Sequence, residues 1–129
     1  MDFVKLTLSP YKTYHYQGSS NAKMLILGGF FITDVGCTLG GYPTYQDWTL
    51  DDSLGTGMYS NCTYLKKSNG FVILSDAYSE LKRPTQVKIT RKQFVQLLDD
   101  WQEKVCKRKP KEVTITYDGN QFTIETSDV

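Results

Sequence analysis

The sequence predicts an α+β fold, a mostly antiparallel sheet of about six or seven strands with one main helix, about residues 91–108, packed on it. Three observations carry this expectation. Short alternations of apolar and polar residues, the period of half-buried strands, recur along the chain. Asn69-Gly70 stands between two apolar runs, the strongest short signal of a hairpin. One stretch beginning at Thr90 has helical spacing with a matching start and stop.

In chain order, Val4, Leu6 and Leu8 alternate with Lys5 and Thr7, a strand that Pro10 ends. Residues 11–16 are aromatic-rich and fit strand or loop, and Gly18-Ser19-Ser20-Asn21 is a turn. Residues 24–27 form a continuous apolar run that Gly28-Gly29 interrupts and Phe30-Phe31-Ile32 resumes. Glycines inside a strand pattern suggest a bulge or a close backbone approach. From Val35 to Asn61 periodicity is lost, which predicts a long ordered loop held by its aromatic residues. Residues 62–65 and 71–75 are strands around a turn at 66–70, residues 76–84 a polar connection, and residues 86–89 a further strand.

The helix follows. Thr90 is its N-cap and Gln93 completes a capping box, with Ile89 and Phe94 placed as a hydrophobic staple. Phe94, Leu97, Leu98, Trp101 and Val105 fall on one face. Lys104, Lys107, Arg108 and Lys109 offset the negative end of the helix dipole, and Pro110 stops it. A last hairpin runs from Val113, Ile115 and Tyr117 through Asp118-Gly119-Asn120 to Phe122 and Ile124.

The 129 residues fit one domain, 1–129, and 40% hydrophobic with 22% charged residues is ordinary for a soluble globular chain. Cys37, Cys62 and Cys106 cannot all pair within the chain and show no CxxC spacing, so zinc is not expected. The start MDFVKLTLSP lacks the regions of a secretory leader, and no apolar run approaches a membrane span. The expectation is a reduced, cytoplasmic protein without membrane contact.

The charge is unevenly placed. Between Lys23 and Lys66 there is no lysine, arginine or histidine, only Asp34, Asp47, Asp51 and Asp52, a block of −4. The remainder has 15 basic and 10 acidic residues, +5, giving the net +1. The block also holds seven glycines and the aromatic residues Tyr42, Tyr45, Trp48 and Tyr59. Tyrosine and tryptophan anchor interfaces, and aspartates pair with a partner's arginine and lysine, so these eight residues form the candidate partner-binding set.

Catalytic signals are absent from this pattern. His15, the one histidine, sits between tyrosines, with no nucleophile motif such as GxSxG. The aspartates do not have calcium-loop spacing, and the glycine pairs make neither a dinucleotide fingerprint nor a phosphate loop. No cofactor is expected. Residues 82–111 hold ten of the 15 basic side chains, which leaves a nucleic-acid-associated domain as an alternative. A small enzyme or ligand carrier with its pocket under the glycine-rich loop, using His15, is the other.

Three features together resemble the immunity proteins of bacterial toxin systems: the capped helix and hairpin ITRKQFVQLLDDWQEKVCKRKPKEVTITYDGNQFTIET, the middle stretch LGGYPTYQDWTLDDSLGTGMYSN, and a small domain without catalytic residues. The resemblance is one of overall organisation and transfers no residue's role. It implies a single small domain that neutralises a cognate toxin, a basic protein and possibly a nuclease, by direct binding.

Overall fold

The computed structural model describes residues 1–38, 40–79 and 84–128. In chain order the elements are β1 (Asp2–Leu8), β2 (Tyr14–Ser19), α1 (Ala22–Gly29), α2 (Gly41–Leu50), β3 (Gly57–Tyr59), β4 (Thr63–Ser68), β5 (Phe71–Asp76), β6 (Gln86–Thr90), α3 (Arg91–Asp100), β7 (Glu112–Tyr117) and β8 (Phe122–Ser127). The helices α1 and α3 run on as π-helical turns, Phe30–Val35 and Trp101–Cys106. A 3-10 turn, Asp52–Leu54, follows α2.

The class is α+β as expected, but the single sheet is not. Eight described strands form two antiparallel sheets, β2-β1-β7-β8 and β3-β4-β5-β6. The first and last hairpins join edge to edge through β1 and β7, with Val4 opposite Ile115. α1 touches β1 and β2 of one sheet and β5 and β6 of the other, and α3 touches β8 of the first and β5 and β6 of the second. Helices therefore fill the space between the sheets, and each sheet buries one face. Val4, Leu6, Val113, Ile115 and Ile124 supply one wall of the core, and Leu65, Val72, Leu74, Val87 and Ile89 the other.

Residues 24–32 are helix, not a bulged strand. Asn21 caps α1 by accepting from the Met24 amide at 3.0 Å. A helix buried between two sheets is apolar all round and loses the stripe that marks it. Gly28 permits the close approach to β1, since a Cβ there would lie 2.6 Å from Val4 Cγ2. The long loop expected over 35–61 is likewise largely structured, as α2, the 3-10 turn and β3. Gly41 opens α2 because a Cβ would lie 1.9 Å from the Val35 carbonyl oxygen.

The hairpins and α3 follow the sequence closely. Asn69 and Gly70 take φ of 50° and 82° in the β4–β5 turn, as a primed two-residue hairpin requires. Thr90 Oγ1 accepts from the Gln93 amide at 3.1 Å. The capping box is only half made, because the Gln93 side chain donates to the Phe122 carbonyl at 3.2 Å on β8. Phe94, Leu97, Leu98, Trp101 and Val105 are all buried.

Unpaired thiols are overturned for two of the three cysteines. Cys37, just after the first π-helical turn, is disulfide-bonded to Cys106 at the end of the second, with Cα atoms 5.3 Å apart. Cys62 is free and exposed. No helix among the described residues is long and apolar enough to cross a membrane.

Candidate protein-binding face

The acidic block is built around α2, whose low-charge turns alternate inward and outward positions. Tyr45, Trp48 and Thr49 point into the core, while Asp47 and Leu50 point out. Tyr45 packs edge-on against Phe30, ring centroids 5.0 Å apart, and Trp48 is only 3% exposed. These two residues cannot serve as surface anchors. Their rings are large apolar bodies at helical spacing from one another, and folding spends them on the core. Tyr42 is half-buried, and its hydroxyl donates to Asp99 on α3.

Beyond α2 the chain stays at the surface. Residues 50–57 are all exposed. Leu50, Leu54 and Tyr59 are 63%, 53% and 75% exposed. Tyr59 lies on β3, an edge strand, with its ring 4.6 Å from that of Tyr64. Asp47, Asp51 and Asp52 lie among these residues, all exposed. Asp51 caps the 3-10 turn, its Oδ1 accepting from the Ser53 amide at 2.9 Å and the Ser53 hydroxyl at 2.6 Å. Those two bonds hold its carboxyl below the usual carboxylate range.

Asp34 does not belong to this face. It sits at the end of the first π-helical turn, where its Oδ1 accepts from the Cys62 amide at 3.0 Å and the Thr33 hydroxyl at 2.8 Å. Its Oδ2 is buried without a partner. Nearby, the Tyr45 and Ser60 hydroxyls share a hydrogen bond. Burial first, and then the Asp34 charge, push the Tyr45 phenol up, against the lowering effect of Ser60.

Two cations from outside the block hold α2 in place, and the sequence reading missed both. Lys67 is 7% exposed. It occupies an inward position of β4, opposite Val72. Its ammonium donates to the Trp48 carbonyl at 2.5 Å and the Asp51 carbonyl at 3.2 Å, and lies 4.6 Å from the centroid of the Trp48 ring. Arg91, at the start of α3, donates from Nε to the Thr49 carbonyl at 3.1 Å and pairs with Asp52 at 2.9 Å. The carbonyls at the helix C-terminus are otherwise without partners, and cations there also oppose the helix dipole. The alternation Leu65-Lys66-Lys67 placed Lys67 on the inner face of β4, a signal that its charge concealed.

The basic stretch is less free than its composition suggests. Lys107 pairs with Glu103 at 2.6 Å. Lys109 donates to the Lys12 carbonyl at 3.3 Å. Lys82 and Arg83 lie outside the described residues. No group of three or more His, Cys, Asp or Glu suited to a metal ion occurs among the described residues. No family model, no curated protein and no solved structure matches this chain.

Proposed function

We propose that this protein is an inhibitor that binds a basic protein partner, an immunity protein that neutralises a cognate toxin, through the face around the end of α2. One observation carries the reading. Leu50 and Leu54 are exposed in the same chain segment as exposed Asp47, Asp51 and Asp52, and Tyr59 is exposed on the strand that follows, with the end of α2 clamped by Lys67 and Arg91. Apolar anchors on a rigid support bind without a large ordering cost. Neighbouring carboxylates select a basic partner and speed encounter.

The reading places the inhibitor in the cytoplasm. That compartment keeps most thiols reduced, so the placement and the Cys37–Cys106 bond pull in opposite directions. Trapping thiols in intact cells decides between them.

The functional test compares wild type with a Leu50→Ser, Leu54→Ser, Tyr59→Ser variant, each immobilised and exposed to host lysate. The expected result is a basic protein held by wild type and lost by the variant. Co-expression of the wild-type chain should then cancel that protein's toxicity. Equal retention by both chains, or toxicity that persists on co-expression, refutes the proposal.

A further inference from the structure

We propose that the cavity between the β1–β2 turn and the Cys37–Cys106 bridge binds a small organic anion with an apolar body. The cavity measures about 420 Å³, within the ~300–1,000 Å³ typical of small-molecule sites. It lies where the two π-helical turns meet, and such turns are frequent at functional sites. It shares no lining residue with the acidic face, so this proposal stands or falls apart from the previous one.

Its floor is aromatic. Tyr14 and Trp101 meet edge-on with ring centroids 6.0 Å apart. Each spends its polar atom on a backbone carbonyl: the Tyr14 hydroxyl donates to Pro110 at 2.6 Å and the Trp101 indole to Gly36 at 2.9 Å. Only 5% of Tyr14 and 1% of Trp101 is exposed, so the two rings form the floor of the cavity and half-buried Ile32 adds apolar surface that a ligand would meet. Burial, reinforced by the Asp128 charge, pushes the Tyr14 phenol up to about 12, so it stays neutral.

Its rim is cationic through two lysines. Lys12 and Lys109 line the cavity together with His15, and no aspartate or glutamate among the described residues does. Asp128, the acid whose field reaches Tyr14, is engaged by the Lys111 amide at 3.0 Å. The Lys12 ammonium has no hydrogen bond or ion pair with any described residue. Lys109 lies 5.9 Å from the Tyr14 ring centroid, so its charge is carried over the aromatic floor.

Lys12 and Lys109 have positive φ, 65° and 50°. Lys12 closes the β1–β2 turn, its amide donating to Ser9 at 3.0 Å, and Lys109 caps the helix end, its amide donating to Val105 at 2.8 Å. Both of these turn residues line the one cavity.

The probes are 2-naphthoate and its neutral counterpart 2-naphthamide, titrated into ¹⁵N-labelled protein. The Trp101 indole N–H reports on the site, and that of Trp48, which does not line the cavity, serves as control. Naphthoate should move the Trp101 signal and leave Trp48 in place, with naphthamide ~10-fold weaker or more. A Lys12→Gly, Lys109→Gly variant should melt no lower than wild type, since it relieves strain, yet bind naphthoate ~10-fold more weakly or worse. A Trp101 signal unmoved at millimolar naphthoate, equal binding of the amide, or undiminished binding by the variant each overturns the proposal.

Discussion

Reducing the Cys37–Cys106 disulfide should remove a large share of the stability. The two cysteines are 69 positions apart in sequence. Opening a loop of that length returns entropy to the unfolded chain worth about 4 kcal/mol at 25 °C. A domain of this size has only ~5–15 kcal/mol in all. With 129 residues, each kcal/mol moves the melting temperature by roughly 4 °C, so the reduced protein should melt about 15 °C lower. The assay is thermal unfolding with and without a phosphine reductant. A Cys37→Ser, Cys106→Ser variant should reproduce the reduced curve, and Cys62→Ser should change neither form, because Cys62 is free and exposed. Thiol titration of the native, unreduced protein should count Cys62 alone. Three reactive thiols, or melting curves that coincide with and without reductant, would refute the reasoning.

Two further outcomes follow from the polar groups. Lys67→Met keeps much of the side-chain volume but leaves the Trp48 carbonyl without its lysine donor, while the Asp51 carbonyl keeps the Leu54 amide; urea unfolding should show a loss of about 2 kcal/mol. Unchanged stability would mean that the clamp contributes nothing. The Tyr14 phenol is raised from 10.0 to about 12 in the folded chain, so its contribution is complete below about pH 10 and disappears as the pH rises through about 12. The two-unit difference sets an upper limit of about 3 kcal/mol, which solvent screening reduces, and urea titrations across that window should show a shallower decline in Tyr14→Phe than in wild type. Parallel declines would rule out Tyr14 as the source.

The strands were legible because each sheet has one face on the helices and one outside, so β1, β6, β7 and β8 keep the alternation of half-buried strands. α3 was legible because only one stripe of it is buried and Thr90 marks its start. α1 was illegible for the opposite reason. It faces both sheets, and a short run that is apolar throughout does not separate helix from strand. α2 was concealed by Gly41 and Pro43, although Pro43 in the first turn and the spacing of Tyr42, Tyr45, Trp48 and Thr49 were helical signals. The disulfide joins positions too distant for any spacing rule. In the candidate face, the aspartates at 47, 51 and 52 and Tyr59 do reach the surface, whereas Tyr45 and Trp48 do not. Leu50 and Leu54 were passed over because leucine counts toward a core unless structure places it outside.

This placement changes what the acidic block means. Read as sequence, four aspartates without a cation wait for cations from a partner. In the folded chain Asp34 accepts from the Cys62 amide, Asp52 pairs with Arg91, and Lys67 sits against the carbonyls of α2. Much of the asymmetry is answered within the molecule, which leaves Asp47 and Asp51 without an ion pair among the described residues, in a stretch of chain where Leu50, Leu54 and Tyr59 are also exposed. Exposed carboxylates of that kind act chiefly on encounter and are screened by salt. Buried apolar anchors act on dissociation, where most affinity differences between related complexes arise. On the proposed function, then, specificity for a basic partner and tightness of binding reside in different side chains. Added salt should slow association with the partner and leave the lifetime of the complex nearly unchanged.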